Sequence, residues 1–153
     1  MANPILVQWR SWSPRPMGRW IFSKMLSRMV PYSGTIRPEV LEVEPGRAVV
    51  AISDRRSVRN HLNSIHAIAL VNLGELASGL ALNAGLPDEA RGIVTHLEID
   101  YLKKARGRLV ARCATEIPDW RTPCEHVVEA PITDADGDVV ARVRVRWRIG
   151  PKA

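Results

Sequence analysis

The chain has 153 residues, enough for one domain with a substantial core, and its 46% hydrophobic and 25% charged residues are an ordinary balance for a globular protein. The net charge of +6 is spread along the whole chain without zinc-finger spacing, an aromatic RNA-binding motif or a basic tail. That pattern argues against nucleic acid and favours a smaller, phosphate-bearing partner. Apolar runs stop short of the roughly 20 residues of a membrane span, and the N-terminus has no secretory pattern. Cys113 and Cys124 have no metal-ligand spacing around them, so no metal is expected, and two free thiols in a reducing cytoplasm are.

Residues 1–16, with Pro4, Pro14, Pro16 and two tryptophans, predict an irregular or extended arm. Residues 17–30 predict a helix with Met17, Trp20, Ile21, Met25, Leu26, Met29 and Val30 on one stripe, and Gly18, Arg19, Ser23, Lys24, Ser27 and Arg28 opposite. Pro31 stops it. Such a helix docks on the domain or covers a pocket, and a basic helix resting on a membrane surface is the lesser alternative. Residues 1–31 therefore form an arm and an amphipathic helix, and residues 32–153 a single folded domain.

Strands are expected at Ile36–Glu44 and Arg47–Asp54, joined by the turn residues Pro45 and Gly46. A connection carrying Arg55, Arg56 and Arg59 leads through Asn60, His61, Asn63 and Ser64 to a helix at about 65–83, ended by Gly85-Leu86-Pro87. Ser64 suits the N-cap of that helix. Further strands follow at Gly92–Tyr101, Arg108–Ile117, His126–Pro131 and Val139–Ile149, with a hairpin turn at Asp134–Gly137. The last strand alternates Val143, Val145 and Trp147 with Arg142, Arg144, Arg146 and Arg148, one face packed and one wet. The arginine row suits solvation and edge protection. The order is helix, strands, one long apolar helix, then a meander of antiparallel strands, and the economical α+β arrangement is a sheet curled around that helix.

The most informative stretch runs from His66 to Asp88, HAIALVNLGELASGLALNAGLPD, with Glu75 its one charged residue before the terminal Asp88. Apolar residues on every side of the run predict a helix buried all round. A carboxylate there is costly unless paired, hydrogen-bonded or protonated, which points to a reaction site.

The element order, together with Asn60, His66-Ala67 and Glu75, resembles the hotdog-fold thioesterases of the PaaI-like group, and within it the branch known as domain of unknown function DUF4442. In that group an Asn is followed six residues on by His-Gly-Gly and nine further by Asp or Glu, and here Asn60 lies six before His66 and Glu75 nine after it. The segment Tyr101-Leu102-Lys103-Lys104-Ala105-Arg106-Gly107 resembles the group's strand-end turn, and the likeness covers roughly residues 36–149. Three departures stand out, the first being that the acid is Glu75 where many relatives have Asp, which moves the carboxylate about one methylene further out. His66-Ala67-Ile68 replaces His-Gly-Gly, and the polar residue some relatives carry after the helix falls near Val94, with Thr95 and His96 only adjacent.

The resemblance implies a hotdog fold and an acyl-CoA thioesterase. Glu75 would be general base or nucleophile, Asn60 would hold the carbonyl or the water, and the Ala67 N–H at the helix start would face the developing oxyanion. His66 would act directly or orient the loop. Arg55, Arg56, Arg59, Lys103, Lys104 and Arg106 are the candidates for the coenzyme A phosphates. No cofactor is implied, because the thioester, on coenzyme A or acyl carrier protein, is the substrate. Nine residues along a helix set His66 and Glu75 on opposite sides, so the implied site is shared across a homodimer, with a dimer of dimers also open. The alternatives are a non-catalytic acyl-CoA binding module and a hotdog hydratase or dehydratase, although the His-Phe-Pro-Gly type of motif is missing.

Overall fold

The computed structural model describes residues 3–152, so the outermost residues of the expected arm and domain lie outside the described residues. Within them run helices α1 (Pro4–Trp12), α2 (Gly18–Met29), α3 (Pro31–Gly34) and α4 (Ala67–Gly85). The strands are β1 (Glu39–Glu44), β2 (Arg47–Ile52), β3 (Ala90–Tyr101), β4 (Leu109–Ala114), β5 (Cys124–Thr133) and β6 (Val139–Pro151). They form one antiparallel sheet in the order β1-β2-β4-β5-β6-β3, and α4 packs against all six strands. Gly46, at φ 75°, closes the tight β1–β2 turn in a conformation other residues rarely adopt.

The core lies between α4 and the inward sheet face, where Leu70, Leu73, Leu80, Val143, Val145 and Ile149 are buried. Helix and β6 approach closely at Gly74, where any Cβ would land inside the Val143 side chain. One turn on, the Trp147 indole N–H donates to Ser78 Oγ at 3.3 Å, and that hydroxyl donates to the Glu75 carbonyl at 2.8 Å. These contacts fix the rotation of α4 about its axis.

That rotation corrects one expectation. The helix is not buried all round: Ile68 is 53% exposed, and Val71 and Glu75 are half-buried. By length and composition α4 could cross a membrane, with mean hydropathy 1.4, but 67% of it is buried against the rest of the fold.

Four further expectations are corrected. The arm holds α1, because Asn3 caps it through Oδ1 to the Ile5 N–H at 2.9 Å and Pro4 sits in the first turn, where proline starts helices rather than breaking them. Leu6 and Trp9 are buried, Trp9 edge-on to Phe22 at 5.1 Å. The α2 stripe is turned from the expected one: Phe22, Ser23 and Leu26 face inward, while Met17 and Trp20 are 68% and 54% exposed. Ser23 is tolerated inside because its hydroxyl accepts the Val40 N–H at 2.9 Å and donates to the Arg19 carbonyl at 2.8 Å.

The arginine row does face outward, but β6 lies between β5 and β3 and protects no edge. Its residues pair sideways instead, Arg142 with Glu129 at 3.2 Å and Arg144 with Asp100 at 2.8 Å and with Glu98. Finally, β3 leaves the meander and becomes a sheet edge, since the segment after it turns under the α4 start, where Ala105 O accepts the Ile65 N–H at 2.8 Å.

The Gly74–Val143 contact predicts that Gly74→Ala costs about 1–3 kcal/mol in chemical unfolding through overpacking, and that adding Val143→Ala recovers part of the loss.

Candidate active site

The segment between β2 and α4 is built by short-range hydrogen bonds. Asn60 Oδ1 accepts the N–H groups of Leu62 at 2.9 Å and Ser64 at 3.1 Å, and the Asn60 N–H donates to Ser64 O at 2.8 Å. This loop consumes the Asn60 carbonyl oxygen and leaves its Nδ2 as an open donor among the described residues. The N-cap of α4 is His66, not Ser64: His66 Nδ1 accepts the Ile68 N–H at 3.0 Å. Ser64 is buried and its Oγ has no partner among the described residues. Because it sits first in the helix, Ala67 has no intrahelical acceptor for its N–H.

Asn60, Ser64 and Ala67 line one cleft of about 320 Å³ with Tyr101, Lys103 and Lys104. Tyr101 extends from the end of β3, and its hydroxyl donates to Ala67 O at 3.1 Å. Glu75 lines a different, mostly apolar cleft of about 360 Å³ with Tyr32, Ile68, Asn72, Val94 and Leu97. The two clefts have no lining residue in common. Glu75 makes no hydrogen bond through its carboxyl to any described residue, and burial alone pushes its pKa above the ordinary carboxylate range. His66 lines a third cleft of about 200 Å³, which shares Tyr32, Ile68 and Asn72 with the Glu75 cleft.

The six expected phosphate-binding cations divide. Arg59 is paired with Asp54 at 2.5 Å, Lys103 is held by Asp134 and Asp138 at 2.7 Å each, and Arg55 donates to Thr35 O at 2.8 Å and to Ser57. Those three are structural first, since carboxylates and carbonyls close enough to satisfy them lie within the fold. The hydrogen bond to Asp134, and after it the one to Asp138, push the Lys103 pKa upward. Arg56, Lys104 and Arg106 take part in no ion pair among the described residues. Asp54 binds the two basic segments together, accepting from Arg59 and, at 2.8 Å, from the Gly107 N–H. Burial would raise the Asp54 pKa, but the Arg59 and Gly107 hydrogen bonds and the nearby Arg59 and Arg106 charges together hold it below the ordinary range. Of the two thiols, Cys113 is buried, which pushes its pKa up to about 12, and both are free.

Two cleft residues, Asn72 and Tyr32, escape a sequence reading, and a third, Tyr101, is singled out there only as part of the strand-end turn. Asn72 is disguised as one polar residue in an apolar run, though its place three before Glu75 sets it on the same side of the helix. Tyr32 comes from α3, outside the strand–helix pattern, and Tyr101 acts through a hydroxyl that only the fold brings to α4.

A single antiparallel sheet around one central helix, carrying this cleft pair, is the hotdog fold. Residues 18–149 match the family described as Domain of unknown function (DUF4442), so the chain belongs to that family. A structural-genomics crystal structure, 30% identical, superposes with a TM-score of 0.84 over 97% of this chain and 99% of its own. The thioesterase enzyme SAV0944 of Staphylococcus aureus is 20% identical, with a TM-score of 0.69 over 79% of this chain and 99% of its own. The phenylacetic acid degradation protein PaaI of Thermus thermophilus is 22% identical, with a TM-score of 0.66 over 77% and 97%. No curated protein matches the chain.

The Asp54 bridge gives a pH prediction. A carboxyl whose folded pKa is depressed contributes stability above its unfolded value of about 3.9, and loses it as pH falls through the folded value. Asp54→Asn is expected to lower stability by about 1 kcal/mol at pH 7. Thermal melts of variant and wild type should converge as the pH is taken below 4, roughly the unfolded value.

Proposed function

We propose that this protein is an acyl-CoA thioesterase whose site forms between two copies of the chain, Glu75 of one facing Asn60 and Ala67 of the other. One observation carries the reading: an unpaired, desolvated carboxyl opens into an apolar cleft beside the edge strand β3, apart from the cleft that holds the amide donors.

The edge strand supports a second copy. It is twelve residues long, one side of it is unpaired in this chain, and Ile93, Leu97 and Tyr101 are exposed along it. Such an edge invites strand pairing. Two-fold antiparallel pairing about Leu97 sets Tyr101, at the amide cleft, opposite Ile93 of the second copy, the chain neighbour of Val94, which lines that copy's Glu75 cleft. The apolar walls of the Glu75 cleft suit an acyl chain. Arg56, Lys104 and Arg106 suit the coenzyme A phosphates, or the phosphopantetheine of an acyl carrier protein.

In this scheme the thioester oxygen accepts from the Ala67 N–H and Asn60 Nδ2, where the positive end of α4 stabilises the charge that develops. Ionised Glu75 takes a proton from water as the water oxygen bonds to the acyl carbon. The tetrahedral intermediate collapses, the carbon–sulfur bond breaks, and the thiolate leaves with the proton that Glu75 returns. Water and thioester thus become acid and thiol, and a thiol of pKa about 8.5 leaves without a strong acid. A non-catalytic binding module is the second reading, favoured by one feature: Ile68 stands where relatives carry glycine, and its side chain lines both the Glu75 and His66 clefts.

Thiol release from a panel of acyl-CoAs tests the reading. Glu75→Gln is expected to lower kcat by roughly 10²–10⁴-fold, and Asn60→Ala by roughly 10–10³-fold, with ligand binding retained in both. In the wild type kcat should rise with pH through the elevated Glu75 pKa, since the ionised form is the base. Mixing the two inactive variants should restore about a quarter of wild-type activity, because half of randomly exchanged dimers would each hold one intact site. Binding without turnover across aromatic, medium and long acyl groups would establish the module instead, and no regain on mixing would place the site within one chain.

A further inference from the structure

Asn72 is the polar residue of α4 that the chemistry above leaves unused. It is 7% exposed, yet it lines both the Glu75 cleft and the neighbouring His66 cleft. Its Nδ2 donates to the Tyr32 carbonyl at 3.4 Å, which fixes the amide orientation and turns Oδ1 the other way. No described residue donates a hydrogen bond to that oxygen. Among the described residues the enclosed side-chain polar atom without a partner is Ser64 Oγ, so the Asn72 oxygen opens onto the cleft, where a small molecule can reach it.

The Glu75 carboxyl, one turn further along the same side, is also without a donor. Residues three apart on a helix have Cβ atoms about 5–6 Å from each other. Two open acceptors therefore stand side by side, between Ile68, Val71, Val94 and Leu97, and Tyr32 and Ser33 are the other polar residues lining that cleft. A molecule with two donor hydrogens and a free lone pair satisfies both acceptors at once, and water is that molecule.

We propose that Asn72 Oδ1 and the Glu75 carboxylate hold the attacking water between them, each accepting one of its hydrogens, so that its free lone pair points at the acyl carbon. The assignment rests on hydrolysis at Glu75 and sharpens it. A water fixed by two groups is the nucleophile of general-base catalysis, whereas direct attack by the Glu75 carboxylate would make no use of Asn72 in the first step. On attack, the hydrogen facing Glu75 moves to its carboxylate and the one facing Asn72 stays on the new carboxyl oxygen, so no charge reaches the amide.

The test compares wild type with Asn72→Leu, which keeps the volume and removes both polar atoms, in acyl-CoA turnover with and without hydroxylamine. Hydroxylamine is a strong nucleophile that needs less help from a positioned base, and its product, a hydroxamate, is distinguishable from the free acid. For Asn72→Leu, kcat for hydrolysis should fall about 10–100-fold with KM nearly unchanged. The product ratio should shift toward hydroxamate by about tenfold or more, and the melting temperature should hold, because the leucine fills the same volume and the one bond lost, to the Tyr32 carbonyl, is long. Asn72→Ala, read by the same product ratio, serves if the leucine variant does not fold. A wild-type hydrolysis rate in the variants, or acid and hydroxamate falling in equal proportion, overturns the role of Asn72 and leaves the thioesterase reading intact. Absence of thiol release by the wild type removes both.

Discussion

The seating of α4 on β6 governs the rest of the molecule. Gly74 lets the helix approach until Val143 touches its backbone, and the Trp147–Ser78–Glu75 carbonyl relay prevents it from rolling. With that rotation set, the large leucines turn to the sheet and Ile68, Val71 and Glu75 turn to the open side. Glu75 is thus presented by its backbone neighbours rather than by a partner of its own. Among the described residues no cation compensates its burial, which pushes its pKa above the ordinary carboxylate range.

The same placement separates the two halves of the chemistry. Asn60 and the Ala67 N–H, the groups proposed to hold the thioester oxygen, collect at the N-terminus of α4, where unsatisfied N–H groups and the helix dipole already favour negative charge. Glu75, the proposed base, lies two turns on, under a wall that includes Tyr32 from the N-terminal helices. Strand β3 runs between them, giving Val94 and Leu97 to one cleft and Tyr101 to the other. Around the amide cleft the basic segments are pinned by Asp54 and by the Asp134–Asp138 turn, so part of the positive charge is spent on holding the rim while Arg56, Lys104 and Arg106 stay available.

Much of this was legible in the residues. The Pro45-Gly46 and Asp134–Gly137 turns, the alternation of β6 and the apolar run from Ala67 to Gly85 are local signals, and each produced the expected element. The lone acid in that run marked the cleft. What stayed hidden depends on tertiary context. Pro4 looks like a breaker until Asn3 is seen capping it, and Ser23 looks like a surface residue until it meets the Val40 N–H. Periodicity could not say which stripe of α4 stays open, because nearly all of its positions are apolar. Charge counting could not tell Lys103, neutralised by two aspartates, from Lys104, which is in no ion pair.

The central claim is that Glu75 is an unpaired carboxyl in an apolar setting, and a side-chain carbon-13 titration of its carboxyl, assigned by the resonance lost in Glu75→Gln, measures it directly. A midpoint clearly above the ordinary glutamate value of about 4.3 is the expected result. A midpoint at or below that value would mean that solvent or a cation reaches the carboxylate, and would contradict the account.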